Sequence, residues 1–181
     1  MIRQALISGG GIGGLAAALA CTRAGWEVRL FERARVFSEV GAGIQLGPNV
    51  TRVLHAWDLA GALANIAAFP DRLQVRNAVS GRELGVLPLG ATTLERYGAP
   101  YATVHRADLH QTLLARVQQS ADAKLKLNYR LARFSQTGDT VTVQGLRASG
   151  QNPEAWGPPI EGDALIGADG LWSPVRQWLL G

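Results

Sequence analysis

The sequence predicts an α/β fold, a doubly wound sheet that is mainly parallel, and three observations predict it. Ala5-Leu6-Ile7-Ser8 is an uninterrupted apolar run, the signature of a strand buried on both faces. A glycine cluster from Gly9 to Gly14 follows, then an alanine-rich apolar stretch from Leu15 to Ala24 that reads as a helix closed by Gly25. Val28-Arg29-Leu30-Phe31 is a second strand, ending at Glu32. Strand, glycine turn, helix and strand within about 30 residues make one right-handed βαβ unit.

The remaining elements follow from periodicity and punctuation. Asn49 is placed to cap a helix whose Val50, Val53, Leu54 and Trp57 share one face, with His55 off that stripe and solvated. Leu73–Val75 and Leu84–Leu87 flank the turn-rich Asn77-Ala78-Val79-Ser80-Gly81, predicting a hairpin that interrupts the α/β alternation. Asp108 starts another helix with Gln111 three residues on, and Leu109, Leu113 and Val117 form its buried stripe, with His110 turned to the surface. Lys124–Leu127 and Thr140–Val143 read as strands, Ser149–Pro159 as a loop, and Ala164-Leu165-Ile166 as a further buried strand. Ser173 and Pro174 supply an N-cap and a first-turn proline for a last helix. The expected organisation is a first dinucleotide-binding part over 1–68, an inserted piece of a second sheet over 69–100, and a second dinucleotide-binding part over 101–181.

Composition narrows the class of function. With 47% hydrophobic residues in a chain of 181, there is enough apolar side chain for one sizeable core. The net charge of +4 comes from scattered arginines and from only two lysines, Lys124 and Lys126, which argues against a nucleic-acid surface. One cysteine, Cys21, excludes a disulfide framework or a cysteine-based metal site and leaves the cytoplasm as the default compartment. Five glycines between Gly9 and Gly14 break up the first apolar stretch, so it is neither a signal peptide nor a membrane span. No metal site is expected.

Gly9, Gly11 and Gly14 keep the G-x-G-x-x-G spacing between a strand and a helix. The first glycine allows the tight turn, the second lets backbone approach a pyrophosphate, and the third lets helix and strand pack closely. The amides of Ile12, Gly13 and Gly14 then face the phosphate with the helix dipole behind them. Glu32 stands about 20 residues beyond, where a carboxylate accepts from both hydroxyls of an adenosine ribose and repels the 2′-phosphate of NADP. Arg33 either covers the adenine or is exposed; the two readings weigh equally.

Three further strings carry a resemblance. Gly41-Ala42-Gly43-Ile44-Gln45-Leu46-Gly47-Pro48-Asn49, His105-Arg106-Ala107-Asp108 within Tyr101–Leu109, and Gly167-Ala168-Asp169-Gly170 with Ser173 and Arg176 resemble the single-component FAD-dependent aromatic hydroxylases. Within that flavoprotein monooxygenase family the likeness is to enzymes of the 3-hydroxybenzoate 6-hydroxylase and salicylate hydroxylase kind, and it runs in order from about Ala5 to Gly181. The resemblance implies a Rossmann-like FAD-binding domain and hydroxylation of a phenolic or aromatic-acid ring with O2 and NADH or NADPH, through a C4a-hydroperoxyflavin. It places Arg106 at the FAD phosphate and ribityl region, Asp169 at the ribose, and Gly43 in a segment passing the flavin. Gln45 faces the substrate or is a solvated loop residue, and Leu131, after a strand, lies on the adenine or in ordinary core packing. Arg176 either holds its helix by an ion pair or has another structural job. Trp172 departs from the small or polar residue usual before Ser173.

The resemblance also implies that the chain stops before a second glycine-aspartate fingerprint, the rest of the substrate sheet and the substrate-holding residues. As it stands it would then be inactive, hold FAD weakly, and associate through surfaces left bare. No side chain qualifies as an acid, base or nucleophile, so the catalytic residues are unknown. Two other readings stand beside this one: a different FAD oxidoreductase of the same fold, of the isoprenoid reductase type, and a non-enzymatic fragment that binds an adenine nucleotide.

Overall fold

Apolar runs that are too short for helices and lack alternation can bury themselves only between two layers, and the first strand does so. In the computed structural model, which describes residues 2–37, 41–149 and 152–181, β1 (Gln4–Ser8) leads through the glycine turn into α1 (Ile12–Arg23) and then β2 (Glu27–Phe31). Next come β3 (Gly43–Leu46), α2 (Pro48–Ala56), α3 (Ala60–Ile66), β4 (Ala67–Ala68), β5 (Arg72–Arg76), β6 (Glu83–Pro88), α4 (Gly90–Tyr97), β7 (Ala102–His105) and α5 (Arg106–Gln118). The chain closes with β8 (Ala123–Lys126), β9 (Tyr129–Thr137), β10 (Thr140–Ser149), β11 (Asn152–Trp156), β12 (Ile160–Gly162), β13 (Ala164–Gly167) and α6 (Pro174–Leu180).

These elements divide into two units. The first, Met1–Glu39 with Leu113–Gly181, is built on a parallel sheet in the order β13-β1-β2-β8. Ala5 lies opposite Ala164 on one side and Val28 on the other, so β1 is fully enclosed. An antiparallel layer sits against this sheet: β10 carries β9 along one side, with β12 and β11 end to end along the other. Leu6, Phe31, Tyr129, Leu131, Val141, Val143, Ile160 and Val175 form the core between the layers. Tyr129 organises it. Its ring lies 5.0 Å from that of Phe31, and its hydroxyl accepts from the Gly145 amide at 2.8 Å, satisfying a donor that burial would otherwise orphan.

The second unit, Val40–Thr112, holds an antiparallel sheet in the order β3-β7-β4 and the separate β5–β6 hairpin. The hairpin forms where Asn77 predicts it, because its Oδ1 accepts from the Val79 and Ser80 amides and turns the chain. Leu73, Val75, Leu84, Val86 and Leu87 of its strands are all exposed.

Several sequence expectations need correction. α2 is capped by Gly47, with Pro48 at its first position, and Asn49 lies inside the first turn. Its buried face is Thr51 and Leu54, while Val50 and Val53 are exposed, because the Thr51 hydroxyl donates to the Pro100 carbonyl at 2.6 Å and draws that side inward. α5 begins at Arg106, so Asp108 belongs to its first turn and is not the residue that precedes it. His110 is only 1% exposed. It shares a face with Leu113, Leu114 and Val117 at i, i+3, i+4 and i+7, a stripe wider than the leucines alone suggest. The stretch read as a loop over 149–159 contains β11, which pairs with β10 through Leu146 opposite Trp156 and occupies a sheet edge, where a proline-containing strand is tolerated. Leu131 lies within β9, not after a strand, and its side chain is 5% exposed in the core.

Candidate functional site

The C-terminal ends of β1, β2 and β13 are tied together by main-chain bonds. The Gly9 amide donates to the Phe31 carbonyl at 2.8 Å, and the Ala168 amide donates to the Ser8 carbonyl at 2.7 Å. Gly9 has φ +105, and a Cβ there would sit 2.2 Å from the Ala168 oxygen. A side chain is thus excluded twice, by conformation and by the backbone of the loop after β13. At Gly14 a Cβ would meet the Gly9 oxygen at 1.8 Å, so α1 rests directly on the turn.

α1 leaves this turn without a cap. Gly11 is its N-cap residue and offers no side chain, and the first turn contains no acid. The leading amides of the helix and the positive end of its dipole are therefore available to an external anion. Gly13 is exposed, and a Cβ on it would touch nothing.

Two carboxylates stand beside the turn. Glu32 follows β2, and its Oε2 accepts from the Gly10 amide while its Oε1 accepts from the Ala34 amide, both at 2.7 Å. The group is locked in orientation, yet each oxygen keeps a further lone pair for a donor. Asp169 lies so close to Gly9 that its Cα would be 2.9 Å from a Cβ there. Its Oδ2 faces the Val175 amide at 3.4 Å, and its Oδ1 is buried with no hydrogen-bond partner among the described residues. A buried acceptor left open is costly and marks a place where a donor is missing.

Ser173 caps α6 as predicted, its hydroxyl accepting from the Arg176 amide at 2.9 Å. The Arg176 guanidinium bonds the Leu171 carbonyl, so it clamps the loop before α6. Arg33 is exposed.

A second group of sequence-selected residues lies in the other unit. β3 pairs antiparallel with β7, setting Gly43 opposite His105 and Gln45 opposite Thr103. Arg106 opens α5 with its amide directed at the Ala42 carbonyl at 3.3 Å. Its aliphatic stem crosses Gly41, where a Cβ would be 2.7 Å from Arg106 Cβ, so the absence of a side chain at position 41 sets the path of Arg106. Gly43 and Gln45 are exposed.

The first unit thus brings together Gly9, Gly11, Ile12, Gly13, Gly14, Glu32 and Asp169. Sequence reasoning missed the amides of Gly10 and Ala34, which hold Glu32. Gly10 could have been found as the extra glycine inside the motif, whereas Ala34 carries no signal. The arrangement fits a dinucleotide: uncapped amides for a pyrophosphate, an oriented carboxylate for a ribose diol, and an orphaned buried acceptor beside them.

Comparison with known proteins identifies the family. Residues 3–180 match the FAD binding domain family. The chain is 38% identical to a 3-hydroxybenzoate 6-hydroxylase of Polaromonas naphthalenivorans over 97% of its own length and 42% of that protein's. It is likewise 38% identical to a 6-hydroxynicotinate 3-monooxygenase of Bordetella bronchiseptica, over 97% of this chain and 43% of that one. Among solved structures, Klebsiella pneumoniae HpxO complexed with FAD and uric acid superposes with a TM-score of 0.79 at 28% identity, covering 97% of this chain and 41% of that one. The chain therefore spans less than half the length of the relatives it matches.

Proposed function

The chain belongs to the FAD binding domain family, and from that premise we propose that it is the FAD-holding part of a monooxygenase that hydroxylates an aromatic ring. The observation that carries the reading is the buried, partnerless Oδ1 of Asp169 beside the uncapped start of α1. In this reading the first-turn amides of α1 donate to the pyrophosphate, and the free lone pairs of Glu32 accept from the adenosine ribose. Asp169 takes a hydroxyl of the cofactor through Oδ1, an atom already desolvated and so able to bond strongly. Arg106 is assigned to the phosphate and ribityl region, Gly43 to the flavin and Gln45 to the substrate by sequence pattern alone.

When bound, FAD supplies the redox chemistry, passing electrons from NADH or NADPH to O2 so that one oxygen atom enters the ring. The chain's own residues position that cofactor. The relatives named for hydroxybenzoate and hydroxynicotinate support a phenolic or hydroxylated heteroaromatic acid as substrate. Among the described residues no helix is long and apolar enough to cross a membrane. The single Cys21 supports our placement in the cytoplasm. The exposed Leu171, Trp172, Leu179 and Leu180 support self-association.

Titration of the purified protein with FAD, followed by flavin fluorescence, tests the site. Gly11→Val puts a branched side chain where the pyrophosphate must lie, so binding should fall at least tenfold. Wild-type occupancy in that variant would remove the glycine turn from the reading. Oxygen-dependent oxidation of NADH, stimulated by a hydroxybenzoate, tests the activity, and its absence in every aromatic acid tried would favour another FAD oxidoreductase.

A further inference from the structure

Along the β8 edge of the parallel sheet four cations project from a face that the cofactor reading does not use, and three of them, Arg29, Lys126 and Arg147, surround its covered part. Registered neighbours in a sheet share a face, so Arg29 and Phe31 of β2 project to the same side as Leu6 of β1 and as Lys124 and Lys126 of β8. Leu6 and Phe31 pack with Tyr129, which fixes that side as the one covered by β9 and β10. The Lys126 ammonium lies 4.3 Å from the Tyr129 ring centroid, and Arg147 of β10 stands opposite Tyr129 in the β9–β10 pairing. β8 is the outer strand, so the group opens at the sheet's edge.

Among the described residues no anion is paired with Arg29 or Lys126. Arg29 Nε is buried with no hydrogen-bond partner among the described residues. Burial, then the fields of Arg147 and Arg29, push the Lys126 ammonium below the usual lysine range, and both of those neighbours are cations. The acid that shares this face of β2, Glu27, stands at the start of the strand and accepts from Gln4 Nε2 at 3.4 Å. An aromatic ring is a weak substitute for an anion. Two guanidinium groups and an ammonium around one edge match an acceptor with several charged oxygens, which guanidinium forks can bind in pairs.

We propose that Arg29, Lys126 and Arg147 form a binding site for a small, doubly charged oxyanion, distinct from the glycine turn. The Glu32 amide bonds the Lys126 carbonyl at 2.9 Å, so the two sites share main chain. The cationic side chains, however, project from the sheet face, whereas Glu32 bonds Gly10 at the sheet's end.

The chain has two lysines, Lys124 and Lys126, so reductive methylation with 13C-formaldehyde yields one side-chain NMR signal from each. K126R assigns them. Inorganic phosphate is the probe, with sodium chloride at equal ionic strength as the control. Phosphate should raise the titration midpoint of Lys126 by about one pH unit, saturably, and move that of the exposed Lys124, which flanks Arg29 on the same face, by clearly less. The response should vanish in R29M and in R147M, the latter changing an exposed residue that the core does not need, and should persist in protein saturated with FAD. Equal movement of both lysines, the same shift in chloride, or loss of the response on FAD saturation would each overturn the proposal.

Discussion

The glycine turn after β1 and the Gly41–Gln45 segment both present glycines to a place where a cofactor is expected, and they hold them in opposite ways. In the turn, a Cβ at Gly9 or Gly14 collides with main-chain oxygen at 2.2 or 1.8 Å. In the segment, a Cβ at Gly41 meets only the stem of Arg106, and one at Gly43 meets nothing closer than the Val104 oxygen at 3.9 Å. Backbone against backbone cannot relax, and Arg106 Cβ, set by its own backbone, gives little more at Gly41, whereas the space over Gly43 is open. The turn is therefore fixed by the fold at both of its packed glycines, and the segment is free to answer to a ligand at Gly43.

The largest test of that contrast is Gly14→Ala. It should destabilise the protein by on the order of 3 kcal/mol in urea, since helix and turn must separate to admit one methyl group. A loss under 0.5 kcal/mol would mean that the turn is softer than its contacts imply. Asp169→Asn should leave urea stability nearly unchanged but weaken FAD by about 1–3 kcal/mol, because the group lost is a charged acceptor that the fold leaves open. Equal losses in both measurements would make Asp169 a structural residue.

Effects in the other unit should be smaller. Gly41→Ala should cost about 1 kcal/mol as Arg106 is displaced, with FAD affinity falling in step. Gly43→Ala should change stability by less than about 0.5 kcal/mol, so any loss of FAD affinity there reports on the ligand alone. If Gly43→Ala unfolded the protein while Gly14→Ala did not, the comparison would be inverted.

The same contrast explains what could be read from the sequence. β1 is enclosed between two strands, and that enclosure writes itself as an unbroken apolar run; β13 at the sheet's edge keeps such a run in Ala164-Leu165-Ile166, whereas β2 carries Glu27 and Arg29. Glu32 is legible because it closes β2 about 20 residues beyond the glycines, whereas Asp169 is selected by resemblance. β3 and β7 do alternate, with Ile44, Leu46, Ala102 and Val104 turned inward and Gln45 and His105 exposed, but at four residues each the alternation is too short to stand out from its surroundings. Gln45 and Arg106 could accordingly be selected only by resemblance. His110 was misplaced because a polar residue was assumed to leave the buried face of α5, although the helix geometry puts it between leucines. β11 was missed because its proline and glycine neighbours describe an edge, and edges look like loops in composition.

The position of β13 has a consequence for the order of assembly. β1 bonds β2 through partners 23 residues apart, Ala5 with Val28, but β13 through partners 159 apart, Ala5 with Ala164. The second closure spans nearly three doublings of chain length and costs about 2 kcal/mol more in loop entropy. During synthesis the β1–β2 pair can form while the other flank of β1 waits for a strand made more than a hundred residues later. Asp169 arrives with that strand, whereas the amides of α1 and the Glu32 carboxylate are already in place. A nucleotide that bound the early half would hold the pair together, and one that required Asp169 would instead reward completion, pulling the late strand home by mass action.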